Sequence, residues 1–477
     1  MEWEFRNEAF TDFTVPQNQE KMKEALRYWD LHMGKKYPAI IGGKEIYTEK
    51  VFLSLNPSEK EQVIGEFPLC GPEEAEKAIQ VAWEAYQTWK EVPYTERAIL
   101  MRKAAQIARK KKYLLSAAQV LEVGKNWAEA DADVAEGIDY LEFYAREMLR
   151  WGEPQPLTPY PGEHNELYYI PIGPVVVIPP WNFPFAILAG MTTAALVCGN
   201  SVVLKPASDS PLCGYLYTQI LLEAGIPEGV LNFVPGPGGS TGGYLVRHPR
   251  TRMIAFTGSK DVGVWIYEEA GKIAPGQIWL KRVIAEMGGK DAIVVDEEAP
   301  LEDAANAVVV SAFGFQGQKC SACSRLIVVE KVYDELLEMV KTRTEALQIG
   351  PARENYPIGP VINQSAKEKI LHYIEIGKKE ARWVTGGEEA GDKGFYIKPA
   401  IFAEVPPDAR IAQEEIFGPV LSVIRAKDFQ DAIRIANNSI YGLTGSVFTR
   451  NRQKIAYAKQ HFFCGNLYIN RKCTGAM

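Results

Sequence analysis

The amino-acid sequence predicts an α/β protein with parallel sheets, because short apolar runs alternate with segments of helical length from about residue 171 onward. The run 175–178 is β-branched and too short for a helix. The segments 184–198 and 210–224 are long enough for helices, and a glycine follows each. This order predicts parallel strands with helices on both faces, which bind ligands beyond the carboxyl ends of their strands.

The elements follow in order along the chain. Residues 1 to about 40 are polar and charged, and we expect a helical extension there. Amphipathic helices are predicted from Pro72 and over about 94–123, where apolar residues recur at helical spacing. The first α/β region is predicted to have strands at 175–178, 201–205, 230–234 and 253–256, and the second to have strands at 292–295 and 326–329 and helices at 301–313 and 332–347.

Composition and charge exclude several classes of function. The 477 residues carry 60 acidic and 53 basic side chains, a net charge of −7, which argues against nucleic acid or an anionic membrane as partner. We find no apolar run of the roughly 18 residues that a membrane span requires, and the start has no apolar signal core. Seven scattered cysteines indicate reduced thiols, so we expect a cytoplasmic protein.

Two loops at predicted strand ends carry candidate polar groups. In Pro180–Pro184, two prolines bracket Asn182, so a stiff loop could aim its amide donor at a ligand. In the stretch 256–263, Ser259 follows Gly258 at the start of a predicted helix, where a phosphate could bind. Taken alone, an ordinary turn is the simpler interpretation of Asn182 and is as compatible as a phosphate site with the stretch around Ser259, where the G-x-G-x-x-G fingerprint is absent.

Glu286 and Cys320 are the candidates for chemistry. Glu286 precedes two glycines at a strand end, and Cys320 is flanked by small residues, so a substrate could reach its thiol. Taken alone, a loop glutamate and a small buried hydrophobe are the simpler interpretations. Cys320 and Cys323 also form a C-x-x-C pair, but the five histidines are scattered, so we predict no metal site.

Six motifs in this order resemble those of the aldehyde dehydrogenase superfamily: Pro180–Pro184, Lys205–Ala207, Phe256–Ser259, Glu286–Lys290, Gly317–Cys320 and Glu414–Val420. The resemblance implies that Cys320 is the nucleophile, Asn182 and the Cys320 N–H form the oxyanion hole, and Glu286 activates water. It implies NAD as cofactor, bound by Ile178, Pro179, Trp181, Lys205, Ser208, Gly258, Ser259, Met287, Glu415 and Phe417. Within this set Lys205 would bind the adenosine ribose and Glu415 the nicotinamide ribose.

The closest likeness is to 1-pyrroline-5-carboxylate dehydrogenases, which oxidise glutamate γ-semialdehyde to glutamate. It rests on segments such as Pro159–Glu163, Gly314–Ala322 and Gly465–Arg471. This likeness implies a substrate pocket formed by Glu136, Phe183, Ser321, Gly475 and Ala476. Open alternatives are another small aldehyde, a non-catalytic dinucleotide-binding relative, and a thiol redox or metal protein.

The sequence departs from the superfamily pattern at two places. Ser208 stands where many NAD-preferring members have glutamate, so repulsion of a 2′-phosphate is removed and we expect NADP to be accepted too. The second place is Met477, where members normally continue into a loop over the substrate and a strand that joins another subunit. We therefore expect substrate anchoring and assembly, but not the catalytic residues, to be affected in a chain that stops there.

The resemblance also implies the domain organisation. We expect a Rossmann-type NAD(P)-binding domain at 1–150 and 171–288, a bridging hairpin at 151–170 and an α/β catalytic domain at 289–477. Hairpins of this kind pair with another subunit in the superfamily, so a homo-oligomer is expected.

Overall fold

The structure, a computed structural model, describes residues 4–475. Its helices are α1 Pro16–Asp30, α2 Pro72–Trp89, α3 Tyr94–Lys110, α4 Lys112–Glu122, α5 Trp127–Trp151, α6 Ala186–Val197, α7 Pro211–Ala224, α8 Gly243–Arg247, α9 Lys260–Ala270, α10 Leu301–Phe313, α11 Tyr333–Glu345, α12 Gln364–Glu380, α13 Arg410–Gln413, α14 Phe429–Asn437 and α15 Arg452–His461. Its strands are β1 Lys35–Lys36, β2 Ala39–Ile41, β3 Lys44–Ile46, β4 Val51–Asn56, β5 Glu59–Pro68, β6 Val175–Ile178, β7 Val202–Leu204, β8 Leu231–Phe233, β9 Met253–Thr257, β10 Arg282–Glu286, β11 Asp291–Val295, β12 Cys323–Val329, β13 Arg382–Thr385, β14 Ala400–Ala403, β15 Val420–Ala426, β16 Thr444–Phe448 and β17 Asn466–Ile469.

The chain divides into two compact units. The first comprises residues up to 56 together with 62–123 and 130–286, and the second comprises 57–61, 124–129 and residues from 287 onward. The segments 57–61 and 124–129 therefore belong to the second unit, although the residues that precede and follow them in sequence belong largely to the first. Hydrogen bonds connect both segments to the second unit: Phe395 N–H donates to the Pro57 carbonyl, and Trp127 N–H donates to the Asn355 side-chain oxygen (3.0 Å). The assignment of cofactor and catalytic roles to the two units remains a prediction.

The first unit is built on a sheet with the strand order β10-β9-β6-β7-β8-β2-β3. The strands β10 to β8 in this order run parallel, while β2 and β3 form an antiparallel hairpin at one edge. The strand order reverses between β6 and β9, so the crevice beyond their carboxyl ends is the expected ligand site of a doubly wound sheet. A separate sheet has the order β1-β5-β4.

The second unit is built on a sheet with the order β13-β14-β15-β12-β11-β16-β17. Only β13, at the edge, is antiparallel to its neighbour among the strands of this sheet that the structure describes. Apolar side chains of β11, β12 and β15 are buried on both faces of the sheet. This two-sided burial explains the near-continuous apolar runs of these strands.

The predicted α/β class is confirmed, and β6 and α10 have the predicted bounds. Two local predictions are wrong. The helix expected over 94–123 is two helices that meet at Lys111, and the stretch up to about residue 40 contains β1 and the start of β2 in addition to α1. Between β2 and β3, Gly42 and Gly43 both have positive φ, so this Gly-Gly pair forms the tight two-residue turn that strand pairing favours. The predicted bridging segment pairs Gln155 with Leu167 in an antiparallel bridge.

None of the helices within residues 4–475 has the length and apolar composition needed to cross a membrane.

A buried carboxylate holds the start of α7. Glu122 accepts hydrogen bonds from Leu212 N–H (2.7 Å), Cys213 N–H (2.9 Å) and the Ser54 hydroxyl (2.9 Å). Burial raises the pKa of Glu122 to about 7, and the two backbone donors oppose this rise. Since the first N–H groups of a helix lack partners within it, Glu122 supplies the cap that the sequence near α7 does not.

Replacing Glu122 by alanine is expected to lower the free energy of unfolding by about 2–3 kcal/mol, because two helix N–H groups lose their buried acceptor. Urea unfolding monitored by far-ultraviolet circular dichroism measures this change. The control is Glu223→Ala, at an exposed position on the same helix, which should change stability by at most about 0.5 kcal/mol. Equal losses in the two variants would contradict the capping role.

Candidate active site

In the first unit, the predicted polar residues meet at one edge of the sheet. Asn182 follows β6, Lys205 follows β7, Ser259 follows β9, and Glu286 is the last residue of β10. Strand pairing places Glu286 opposite Thr257 and Ile178 opposite Phe256. All four residues therefore lie at the carboxyl ends of parallel strands, around the order reversal between β6 and β9.

Lys205 is almost fully buried, and its ammonium is fixed by backbone. Its Nζ donates to the carbonyls of Pro206 (2.8 Å) and Gly236 (3.0 Å). Burial lowers the pKa of Lys205 to about 8. Ser208, three residues further along the chain, is exposed, so a group bound beyond β7 could contact its hydroxyl.

The start of α9 provides a site for an anion. Ser259 is the N-cap residue, and within the described chain its side chain makes no capping bond. It is exposed, so both its hydroxyl and the first N–H groups of the helix are open to a ligand. Gly258 donates its N–H to the Glu286 carbonyl (3.0 Å), which fixes this turn against β10.

Glu286, the candidate for activating water, is exposed at the end of an edge strand. Asn182 is buried, in the loop between β6 and α6. Of the remaining cofactor candidates in this unit, Pro179 is buried and Ile178 and Trp181 are partly buried.

In the second unit, Cys320 and Glu415 lie at the amino ends of strands, before β12 and β15 respectively. Two glycines before β11 allow both to approach. A Cβ on Gly289 would lie 2.0 Å from the Cys320 carbonyl oxygen, and a Cβ on Gly288 would lie 2.3 Å from Glu415 Oε2. Glu415 Oε1 accepts a hydrogen bond from Gly289 N–H (2.9 Å). A side chain at either position would collide with one of these two groups, which explains why both residues are glycine.

The loop that leads to Cys320 is strained, which sequence reasoning missed. Phe315, Gln316 and Gly317 all have positive φ, at 48°, 55° and 67°. For a residue other than glycine this conformation costs on the order of 1–3 kcal/mol. Gln316 Nε2 donates to the Pro360 carbonyl (2.7 Å), and Gln318 Oε1 accepts from Ile362 N–H (2.9 Å), so side-chain bonds hold the loop.

The Cys320 thiol is half-buried and favours its neutral form. Burial raises the pKa of Cys320 to about 12, and the Asp291 and Glu415 carboxylates add to this rise. The backbone N–H groups of Ser321 and Cys320 oppose it. The direction of this shift is opposite to the lowered pKa that reactive cysteines typically have.

The structure brings two of the five predicted substrate residues to one place. Cys473 Sγ lies 3.4 Å from the Ser321 carbonyl oxygen, so the segment with Gly475 runs beside Ser321. Arg471 donates to the carbonyls of Thr474 (2.9 Å) and Gly475 (3.1 Å). The predicted residue Ala476 lies outside the described residues.

Glu136 and Phe183 belong to the first unit. Glu136, on α5, is partly buried and accepts from the Tyr140 hydroxyl (3.3 Å). Asp133, one turn earlier on α5, accepts from Ala186 N–H (2.8 Å), so α5 packs against the loop that carries Phe183. Met287 and Phe417 are both partly buried residues of the second unit, and Phe417 has a positive φ of 60°.

A positively charged cluster lies next to the loop that leads to Cys320, in the second unit. Lys319 Nζ contacts both carboxylate oxygens of Glu129 (2.8 and 2.7 Å). The charges of Lys125 and Lys472 also act on Glu129, so three ammonium groups surround one carboxylate. Lys472 is exposed, and a Cβ on Gly475 would be 3.8 Å from its Nζ. These three lysines are far apart in sequence, so their proximity could not be predicted from it.

Within residues 4–475, no group of three or more His, Cys, Asp and Glu side chains is placed to hold a metal ion. All seven cysteines, including Cys320 and Cys323, are free thiols.

Comparisons with known proteins agree over nearly the whole chain. A sequence profile of the aldehyde dehydrogenase family matches residues 46–477. The 1-pyrroline-5-carboxylate dehydrogenase of Geobacillus sp. strain WCH70 is 55% identical over 474 residues, which cover 99% of this chain and 92% of that protein. A solved structure of 1-pyrroline-5-carboxylate dehydrogenase from Thermus with bound NAD is 52% identical, with a TM-score of 0.99, and the match covers 100% of this chain and 92% of that one.

The state of the Cys320 thiol can be tested by alkylation with iodoacetamide, followed by mass spectrometry of the Cys320 peptide. Only the thiolate reacts, and below the thiol pKa its fraction grows about tenfold per pH unit. The rate should therefore rise steadily from pH 7 to 9. At pH 8.5, Asp291→Asn should react roughly fivefold faster, since one nearby negative charge is removed.

The control for this comparison is Asp408→Asn, at an exposed loop position, which should leave the rate unchanged. A rate that levels off near neutral pH in the unaltered protein would contradict the raised pKa of Cys320.

Proposed function

The chain belongs to the aldehyde dehydrogenase family, and from this premise we propose that it oxidises L-glutamate γ-semialdehyde, formed from 1-pyrroline-5-carboxylate, to L-glutamate with NAD. The observation that carries the proposal is the geometry around Cys320. A half-buried thiol lies on a strained loop, and the glycine pair before β11 brings its backbone and the Glu415 carboxylate together. The high identity to named 1-pyrroline-5-carboxylate dehydrogenases supports the choice of aldehyde.

We assign the steps of the reaction to residues of this chain. The Cys320 thiol releases its proton to solvent water as its sulfur adds to the aldehyde carbon, and the resulting oxyanion accepts hydrogen bonds from the Asn182 amide and the Cys320 N–H. Loss of hydride from this thiohemiacetal leaves a thioester on Cys320. Glu286 takes a proton from the water that attacks the thioester, and the products are glutamate and the free thiol.

The residues at the sheet edge of the first unit fit a dinucleotide. The buried Lys205 ammonium, held by two carbonyls, suits the hydroxyls of a ribose, and the open N-terminus of α9 at Ser259 suits a diphosphate. Glu415, held by Gly289 N–H, suits the second ribose. When bound, NAD accepts the hydride. Because Ser208 places no negative charge beyond β7, NADP is accepted as well.

The charge of the second unit supports a substrate with a carboxylate. Lys125, Lys319 and Lys472 together with Glu129 leave two positive charges in excess beside Ser321 and Gly475. A positive excess of this kind attracts an anion, and glutamate γ-semialdehyde carries an α-carboxylate. A simple alkyl aldehyde has no group that would gain from this cluster.

We also propose a homo-oligomer in the cytoplasm. The segment 151–170 exposes a set of large apolar side chains that a second copy would cover: Leu157, Tyr160, Leu167, Tyr168, Tyr169 and Ile170. The free state of all seven cysteines fits a reducing compartment. Light scattering coupled to size-exclusion chromatography measures the number of copies.

The proposed reaction is tested by NADH formation on addition of 1-pyrroline-5-carboxylate, beside a panel of simple aldehydes, with NAD and with NADP. We expect turnover of the pyrroline with both cofactors and none in Cys320→Ala. Cys198→Ala, an exposed cysteine, is the control and should retain activity. Turnover of simple aldehydes but not of the pyrroline would contradict the proposed substrate. Absence of NADH or NADPH formation with every substrate would overturn the proposal that the protein is an enzyme.

The role of the positive cluster is tested by Lys472→Met. For succinate semialdehyde, which carries a carboxylate, KM should rise roughly fivefold, the effect of about 1 kcal/mol for one partly solvated charge. For butanal, which carries none, KM should not change. Lys472→Arg keeps the charge and should restore the low KM, whereas equal effects on both aldehydes would contradict the electrostatic role.

A further inference from the structure

Buried polar atoms without partners lie behind the nucleophile loop of the second unit. Lys290 is 1% exposed, and its Nζ finds no hydrogen-bond partner within residues 4–475. The same holds for the hydroxyl of Ser324. Leaving a polar group buried and unsatisfied costs about 1–3 kcal/mol, so each such group requires an explanation.

The residues Lys290 and Ser324 both line one small cavity, and Glu415 lines it too. Its volume of about 10 Å³ is close to the least that one water molecule needs. A buried water also needs two to four polar partners. Three of the lining residues, Lys290, Ser324 and Glu415, have polar side chains that can serve as such partners.

The electrostatics of the cavity couple Lys290 to Glu415. Burial lowers the pKa of Lys290 to about 7, and the Arg325 charge lowers it further, while Glu415 and Asp291 oppose this. Burial also raises the pKa of Glu415, and Gly289 N–H, Lys369 and Lys290 oppose that rise. Lys290 therefore favours the ionised form of Glu415, which is the form that accepts two hydrogen bonds from ribose hydroxyls.

We propose that the cavity binds one water molecule that links Lys290 and Ser324 to Glu415, and that Lys290 is a positioning residue for dinucleotide binding. It acts on the cofactor only through the orientation and charge of the Glu415 carboxylate. The inference rests on the proposed function in one respect, the binding of NAD.

A purely structural role would have a different signature. A lysine kept for stability should have a hydrogen-bonded ammonium, as Lys281 has through the Val246 carbonyl (2.9 Å). A buried ammonium held by a single water molecule is only partly satisfied, so its replacement by an apolar side chain of similar volume should be neutral or stabilising. Burial of the Lys290 ammonium lowers the stability of the fold, and its benefit is the orientation and charge of the Glu415 carboxylate.

The test is a titration of Lys290→Met with NAD, without aldehyde, followed by intrinsic tryptophan fluorescence or calorimetry. We expect the dissociation constant of NAD to rise about tenfold, the effect of losing roughly one hydrogen bond to a charged group. The thermal unfolding temperature should stay unchanged or increase. An unchanged dissociation constant would overturn the proposal, whatever the effect on stability.

Lys281→Met is the matched control, since it removes a buried lysine whose ammonium is satisfied. This variant should unfold at a lower temperature and bind NAD as the unaltered protein does. A rise in the NAD dissociation constant of the same size in both variants would show a general effect of buried lysines and would overturn the specific role of Lys290.

The shared water is tested by Ser324→Ala and by the double variant with Lys290→Met. If one water joins the two side chains, their effects on NAD affinity are not additive. Additive effects would overturn the water link. Failure of the unaltered protein to bind NAD would overturn the proposed function together with this inference, whereas NAD binding without aldehyde oxidation would leave the inference intact.

Discussion

The close approach of three chain segments at Gly288 and Gly289 is the constraint on which the second unit's site depends. The Cys320 carbonyl, the Glu415 carboxylate and the start of β11 meet at distances that leave no room for a Cβ. Glu415 bonds to Gly289 N–H, so the backbone that makes room for the carboxylate also holds it. Cys320 and Glu415, the candidates for nucleophile and ribose binding, are thereby both fixed against the two glycines. Displacement of either one would move the other.

This approach is reinforced by the strain in the preceding loop. Three consecutive residues with positive φ turn the chain sharply between α10 and Cys320. Such a conformation persists only if its surroundings determine it. The amides of Gln316 and Gln318 bond to backbone around residues 360–362, and a Cβ on Gly317 would lie 2.4 Å from the Gly418 carbonyl oxygen. Loop conformation is thus maintained by segments distant in sequence.

Sequence patterns predicted the elements whose signal is local. The β-branched run of β6 and the apolar periodicity of α10 depend on neighbouring residues only, and both bounds are as predicted. Contacts between distant segments have no such signal. The Glu122 cap of α7, the lysines around Glu129 and the exposure of Glu286 each depend on packing, so they could not be predicted. The Gly-Gly turn of β2–β3 was detectable from sequence and was missed. The site residues came from motif resemblance, and their roles remain predictions.

The position of Cys320 at the amino edge of its sheet has a consequence for chemical damage. The preceding helix α10 ends at Phe313, so its C-terminal carbonyls, which carry partial negative charge, face the same edge as the loop to Cys320. Burial and the Asp291 and Glu415 carboxylates also disfavour a thiolate at Cys320. Peroxides and adventitious electrophiles attack the thiolate rather than the thiol. With its thiol kept in the neutral form, Cys320 is therefore expected to resist oxidation to sulfenic and sulfinic acids.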